Sequence, residues 1–351
     1  MPGGATPTET LGDVGEFGLI QRIRRLFPGT EPTVVHGIGD DVAVVRTDSD
    51  HLLLVTCDCQ IEGVHFLRHA LNFWDLGWRA ASVNLSDLAA MGGEPLWAVV
   101  SLMAPAELPV KAVEDLYRGM ADALRPWQAT VVGGNTARHP DRLVVDVTLL
   151  GRARPDGIVT RDGARPGDVI VVTGTLGGAR AGLEWARGRV AGDAPEVRKQ
   201  AMARYRTPRA RVAEGKALAA TGRVRAMLDV SDGLLGDLRH LCQASGVGAL
   251  VEAACIPVDP CCRQTALSVG ADPLEWALRG GEDYELLFSV DRQGGVGQVM
   301  EALGAVSDVA FAVIGWIVPR EAGIQVVFPD GTRRSLTAEG GWDHFGSRPD
   351  K

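Results

Sequence analysis

Five short segments place carboxylates in glycine-rich or strand-like settings. They are Gly37-Ile38-Gly39-Asp40-Asp41, Thr56-Cys57-Asp58, Asn84-Leu85-Ser86-Asp87, Asp229-Val230-Ser231-Asp232-Gly233 and Gly280-Gly281-Glu282-Asp283-Tyr284-Glu285. Most adjoin apolar runs, where a carboxylate is costly to bury without a partner. Lysine offers few partners, at Lys111, Lys199, Lys216 and Lys351 only. Carboxylates without ammonium partners point to a divalent cation, and hard oxygen ligands point to magnesium. Magnesium held by a few carboxylates usually also holds a substrate phosphate. The chemistry these residues fit is metal-dependent phosphoryl transfer.

Each segment also has an ordinary explanation. Gly-Asp is common in turns, so Asp40-Asp41 could be a solvated loop. On a strand the two side chains would point to opposite faces, one toward a metal and the other supporting the loop. Asp58 is read as the end of a strand, followed by Glu62-Gly63-Val64-His65-Phe66, in which His65 is either structural or turned into the site. Asp87 falls in an otherwise apolar helix and needs a partner, a metal or a hydrogen bond. Asp229, Ser231 and Asp232 stand at a strand-to-helix junction suited to phosphate. N-capping would explain Ser231 or Asp232 but not all three. Gly280-Gly281 permits close approach of a ligand, or makes a hairpin turn. Gly133-Gly134-Asn135-Thr136 is read as a strand end that offers backbone N–H donors.

Several phosphate-binding motifs are missing: G-x-x-x-x-G-K-[ST], the strand lysine of protein kinases, and G-x-G-x-x-G. Phosphate charge would then be met by metal, backbone N–H groups and arginine. Arg161, in Thr160-Arg161-Asp162-Gly163, is a candidate clamp because its fork binds oxygens bidentately; a surface linker arginine is the plain alternative.

Around these residues the chain must supply a positioning scaffold. Its 351 residues suffice for two domains, and 46% hydrophobic with 23% charged residues is ordinary for a globular protein. A net charge of −8 argues against a nucleic-acid backbone binder. Cys57, Cys59, Cys242, Cys255, Cys261 and Cys262 form no C-x-x-C pair, and reduced thiols in a cytoplasmic protein are expected. Met1–Gly12 lacks the pattern of a signal peptide, no apolar stretch reaches membrane-spanning length, and no membrane partner is expected.

Periodicity predicts a helix over 15–27, strands over 42–45 and 52–57, a helix over 76–91, a strand over 96–103, a helix over 110–124, and strands over 130–132 and 143–150. Arg152–Gly167, rich in Arg, Pro, Gly and Asp, marks a boundary. A second half follows, with strands over 169–173, 225–229, 249–251, 285–290, 311–317 and 323–328. Its helices are expected over 178–187, 208–220, 233–244 and 296–303. The division expected is a disordered lead, 1–14; an N-terminal metal- and ATP-binding and dimerisation domain, 15–153; a C-terminal α/β domain, 154–345; and a tail, 346–351. An acidic cluster at a strand end before a helix in each part hints at two similar halves.

Taken in order, the motifs resemble the thiamine-monophosphate kinase family, within the superfamily of aminoimidazole ribonucleotide synthetase and selenophosphate synthetase. The resemblance rests on Gly15-Glu16-Phe17, Gly37–Val42, Asp58 with Glu62–Phe66, Val83–Gly92, Gly133–Thr136, Ala226–Leu234, Gly280–Leu287 and Gly341–Phe345. It implies two α/β (α+β) domains, the N-terminal ones of two subunits forming a shared barrel-like sheet in a homodimer, and a C-terminal α/β sandwich. It implies transfer of phosphate from ATP to thiamine monophosphate, direct and in line, with several Mg2+ ions and no side-chain acid or base. Asp41, Thr56, Cys57, Asp58, Asp87, Asn135, Asp229 and Asp232 fall at metal places, and Gly134, Asn135, Arg161 and Ser231 at ATP places. His65, Glu282 and Trp342 fall at substrate places, with the Trp342 ring over the thiamine cation. The family commonly has Thr at Cys57 and Asp at Asn135. The first change matters little if the contact is through the backbone carbonyl; the second removes a charge from one metal position. Alternatives are another ATP-dependent enzyme of the superfamily, or a non-catalytic nucleotide or thiamine-phosphate binder. Selenophosphate synthetase would need a reactive Cys and a lysine near the N-terminus, and neither precedes Cys57.

Overall fold

The computed structural model describes residues 9–27, 31–47, 50–335 and 345. A six-stranded sheet forms from β1 (Val34–His36), β2 (Ala43–Arg46), β3 (Leu52–Ile61), β4 (Glu94–Ala104), β5 (Thr130–Arg138) and β6 (Val144–Ala153), in the order β1-β2-β3-β6-β4-β5. Its neighbours are antiparallel except β4 and β5, which run parallel with α3 (Val110–Leu124) as the crossover. Alternation along β3 sends Leu52, Leu54, Thr56 and Gln60 inward. There they meet α2 (Phe73–Ala90), which starts at a capping box: the Asn72 side chain accepts from the Asp75 N–H at 2.7 Å, and the Asp75 carboxylate accepts from the Asn72 N–H. Helices α2 and α3 approach so closely that a Cβ at Gly77 would lie 1.8 Å from the Leu116 carbonyl oxygen, and one at Gly119 2.0 Å from that of Trp74. Only glycine fits these crossings.

The second sheet has β7 (Val169–Thr173), β8 (Val224–Asp229), β9 (Val247–Glu252), β10 (Leu286–Val290), β11 (Phe311–Pro319), β12 (Ile324–Val327) and β13 (Arg333–Ser335), in the order β13-β12-β9-β11-β7-β10-β8. Only β12 and β9 pair in parallel. Strand β7 is buried on both faces. Val169 and Val171 join a core continuous with α2 and the first sheet, whereas Ile170 and Val172 join a second core with residues of α7 (Leu234–Ser245). Because one core spans both sheets, α2 is held against both and can carry side chains from one to the other.

Several sequence expectations change. Helix α1 covers Leu11–Leu26, so the last residues of the expected lead are helical, with a break at Gly15 (φ 65°). Strand β3 continues to Ile61, which puts Asp58 inside the strand rather than at its end. Strand β5 continues to Arg138, which puts Gly133–Thr136 inside an edge strand. Helices α4 (Gly178–Ala186) and α10 (Gly295–Val306) fall close to their expected ranges. Three helices are not foreseen by the periodicity: α5 (Pro195–Arg206), α8 (Pro260–Ser268) and α9 (Pro273–Arg279). Each has proline in its first turn, where the missing N–H costs nothing. Helix α6 is shorter than expected, Val212–Ala220. Gly280–Glu285 joins α9 to β10 and is not a hairpin turn. The two sheets differ in strand order and are not repeats of one unit. Neither sheet closes into a barrel among the described residues. No described helix is long and apolar enough to cross a membrane.

Candidate active site

A cleft of about 1100 Å³ opens between the sheets, with α1 along one rim. Strand β2 is preceded by the Gly37–Asp41 loop, in which Asp40 Oδ1 accepts from the Asp41 N–H at 2.9 Å. Strand β3 presents Thr56 and Asp58 to the cleft side. Helix α2 contributes its polar run: Asn84 Oδ1 accepts from the Asp58 N–H at 3.1 Å, Thr56 Oγ1 donates to Asp87 at 2.6 Å, and Ser86 Oγ donates to Asp229 at 2.5 Å. Asp229 is the last residue of β8. Through the Ser86 hydroxyl one helix therefore ties itself to the last residue of a strand in the other sheet, and it carries Asp87 beside that bond. One oxygen each from Asp41, Asp87 and Asp229 lies within 4.8 Å of the others.

This triad is short of positive charge. Arg161, from the connection between β6 and β7, pairs with Asp41 and lies 3.4 Å from Asp40. Its surroundings are fixed, since the preceding Thr160 carbonyl accepts from the Met227 N–H of β8. Arg161 is thus a cleft residue and not a surface linker arginine. Burial pushes Asp229 up to about 8, with Asp41 and Asp58 adding to it. Asp232 is pushed up to about 7 by burial, then Glu16 and Asp58. Asp40 and Asp58 are each pushed up to about 6, chiefly by desolvation and then by neighbouring carboxylates. Asp87 and Asp237 lie well above the usual carboxylate range, from burial and then from the aspartates around them. Without a cation these groups settle their repulsion by holding protons.

Asp41 Oδ2 is buried with no hydrogen-bond partner among the described residues. An orphaned carboxylate oxygen beside two more carboxylates, in an all-oxygen donor set, fits a hard divalent ion.

The other expected residues fall in three groups. Ser231, Asp232, His65 and Glu282 all line the cleft with the triad. Capping does not explain Ser231 or Asp232: the N-cap of α7 is Gly233, with no side-chain cap, and Asp237 of α7 accepts from the Asp232 N–H at 3.1 Å. His65 Nδ1 accepts from the Ile61 N–H at 3.0 Å while its ring lines the cleft, so both readings of it hold in part. Glu62 is engaged elsewhere, accepting from the Leu143 N–H. Cys57 turns its thiol to Asp146 (3.2 Å) and Thr148 (3.4 Å). Cys57 lines the cleft as well, but as a strand neighbour of Thr56 and Asp58 it directs its side chain the other way. Gly134 and Asn135 are not near the triad of their own chain. They sit on β5, three strand spacings from β3, roughly 14 Å at about 4.8 Å each. Trp342 lies outside the described residues.

Sequence reasoning missed Asp237, whose signal is an acid in the first turn of the helix after Asp232-Gly233. It also missed Arg79, the one basic residue in the apolar run of α2.

Comparisons with known proteins define the family to which this fold belongs. Residues 39–153 match the AIR synthase related protein N-terminal domain, and 165–327 match the AIR synthase related protein C-terminal domain. Fold and site thus define a two-domain protein of that class. A thiamine-monophosphate kinase of Aquifex aeolicus is 40% identical over 279 residues, 80% of this chain and 87% of the relative. One from Escherichia coli K12 is 35% identical over 338 residues, 94% of this chain and 98% of the relative. A solved structure of AaThiL complexed with AMPPCP and TMP superposes with a TM-score of 0.82 at 35% identity, covering 97% of this chain and 100% of that one. The chain belongs to the thiamine-monophosphate kinase family and is a kinase.

Proposed function

We propose that this kinase transfers the γ-phosphoryl group of ATP directly, in line, to thiamine monophosphate, giving thiamine diphosphate and ADP, with several Mg2+ ions. The observation that carries this is the Asp41, Asp87 and Asp229 triad, poor in cations, at the junction of the two sheets. Asp41, Asp58, Asp87, Asp229 and Asp232 would hold the metal, with Thr56 orienting Asp87 through its hydroxyl. Bound there, magnesium would neutralise charge on the two phosphate groups. Arg161, which lines the cleft, would clamp phosphate oxygens, and Ser231 lines the same cleft near the start of α7. His65 and Glu282 would meet the acceptor further along the cleft, with Trp342 as a third contact. The attacking oxygen belongs to a phosphate already ionised at neutral pH, so no side chain need remove a proton. What the protein supplies is alignment and exclusion of water.

The distance of Asn135 from the triad points to a second copy. The first sheet exposes Trp97 (47%), Val99 (36%) and Val132 (58%). Among the described residues β5 pairs only with β4. An apolar sheet face beside an open edge calls for a partner. A homodimer with a shared barrel-like sheet would cover both and bring Gly134 and Asn135 of one copy to the carboxylates of the other. In this proposal 15–153 is the metal, ATP and dimerisation domain, and 154–345 the second domain. All six cysteines are free thiols, which suits the cytoplasm.

Purified protein with MgATP and thiamine monophosphate should form thiamine diphosphate, with inversion at phosphorus when a chiral γ-thiophosphate donor is used. Retention would contradict direct transfer, and turnover of a purine-pathway amidine substrate in its place would contradict the acceptor. Sedimentation should give a dimer; an active monomer would remove the shared site.

A further inference from the structure

Arg79 is the largest fully buried side chain among the described residues, at 0% exposure. It stands on α2, one face of which also carries the polar run toward the triad. Its Nε donates to Gln60 Oε1 of β3 at 3.0 Å, one Nη donates to the Tyr205 carbonyl of α5 at 2.5 Å, and the other pairs with Glu282 Oε1. The guanidinium also lies 5.1 Å from the Tyr205 ring centroid. A buried guanidinium requires a carboxylate, and Glu282 is the one it has among the described residues.

Glu282 stands on an unusual backbone. Gly281 (φ 65°), Glu282 (φ 60°) and Tyr284 (φ 52°) are all left-handed. Two of these are not glycine, and such residues persist only where the surroundings enforce them. Part of that enforcement is backbone pairing: the Glu282 N–H donates to the Ser231 carbonyl at 2.7 Å and the Tyr284 N–H to the Val230 carbonyl at 2.9 Å. Side-chain anchoring of Glu282 adds to it. One oxygen of Glu282 is tied to Arg79, while the residue still lines the cleft at 29% side-chain exposure.

We propose that Arg79 is a positioning residue for the acceptor substrate: it fixes one oxygen of Glu282 so that the other faces the cleft, and through Ser231 keeps this end in register with Asp229 at the end of β8. The inference rests on Glu282 meeting the acceptor, as proposed above. Arg79 touches no substrate; it acts through Glu282. A lysine at this place keeps the charge but cannot reach Gln60, Tyr205 and Glu282 together.

The test is a double-mutant cycle of KM and kcat with Arg79→Lys, Glu282→Gln and the double variant. Arg79→Lys should raise KM for thiamine monophosphate about tenfold, with kcat and KM for ATP held within about twofold. Glu282→Gln should also raise the acceptor KM, and adding Arg79→Lys to it should cause no further rise. A rise in Arg79→Lys shared equally by ATP, or one additive with Glu282→Gln, would overturn the proposal in favour of a general structural role. An unchanged acceptor KM in Arg79→Lys, with a raised one in Glu282→Gln, would overturn the positioning role and leave the acceptor reading standing. An unchanged acceptor KM in Glu282→Gln would overturn both. If Arg79→Lys does not fold, Gln60→Met removes one anchor of the guanidinium. Introduced alone, it should raise the acceptor KM about threefold; added to Glu282→Gln, it should cause no further rise. No rise from Gln60→Met alone overturns the proposal.

Discussion

Asp229 shows at the scale of one residue what the site costs the fold. Its carboxyl is raised to about 8 by burial and by Asp41, although Ser86 donates to it. In the metal-free protein at pH 8 that group is half charged in a place that disfavours charge. Asp229→Asn removes the charge and keeps a hydrogen-bond acceptor for Ser86. The variant should melt higher than the wild type at pH 8 without magnesium, and by a smaller margin near pH 5, closer to the unfolded value of about 3.9 below which the difference vanishes. Equal melting temperatures at both pH values would show that Asp229 carries no such strain. The sequence shows Asp229, Asp87 and Asp41 plainly, because each is an acid set against apolar residues. It hides the direction of Cys57, which depends on the strand running on past Asp58, and it hides the Arg79 and Glu282 pair, whose members are far apart in the chain. Nothing local marks a buried arginine as bound to a particular distant acid.

Elements are legible where one period dominates. The strong amphipathic pattern of α3 gives both of its ends, and the unbroken apolar run of β7 gives a strand buried on both faces. Helices α5, α8 and α9 are hidden by polar sequence and by leading prolines. Strand β5 reads too short because glycine signals a turn, yet at an open edge its lack of a side chain leaves the backbone approachable. The α2 and α3 crossing gives a test at this scale. Gly77→Ala would drive a methyl into the Leu116 carbonyl oxygen, since the Cβ would lie 1.8 Å away. The backbones must separate, and a loss on the order of 3 kcal/mol is expected in denaturant unfolding. A loss under about 0.5 kcal/mol would mean that the helices yield freely. Because α2 carries Asp87, the variant should also turn over more slowly.

For the whole molecule, the carboxylates link folding, protons and metal. Asp40, Asp58, Asp232 and Asp229 all have raised values, about 6, 6, 7 and 8. An aspartate in an unfolded chain titrates near 3.9. The native state therefore binds more protons than the unfolded state between about pH 4 and pH 8, and stability falls as pH rises through that window. The stabilising contribution is complete below the unfolded value and is lost as each folded group ionises. In the proposed reading magnesium would reverse the trend, because it would take the place of those protons and bind more tightly as pH rises. Metal-free protein should melt progressively lower from pH 5.5 to pH 8, and the upward shift on adding magnesium should be larger at pH 8. A melting temperature independent of pH without metal would contradict this linkage. The connection of the two sheets through α2 is also a property of the whole chain. Sequence places the boundary near residues 152–167, but composition cannot show that one core crosses it.

In the proposed reaction a metal held by the triad supports transfer of the γ-phosphoryl group from ATP to thiamine monophosphate. The most direct measurement is thiamine diphosphate formed by wild-type protein, Asp87→Asn and Asp229→Asn side by side, with magnesium present and then chelated. Wild-type protein should form thiamine diphosphate and ADP in equal amounts and stop on chelation. Each variant should remain folded and lose at least a hundredfold in rate, about 3 kcal/mol of transition-state stabilisation. Product formed at near wild-type rate by either folded variant, or by wild-type protein after chelation, would contradict the account.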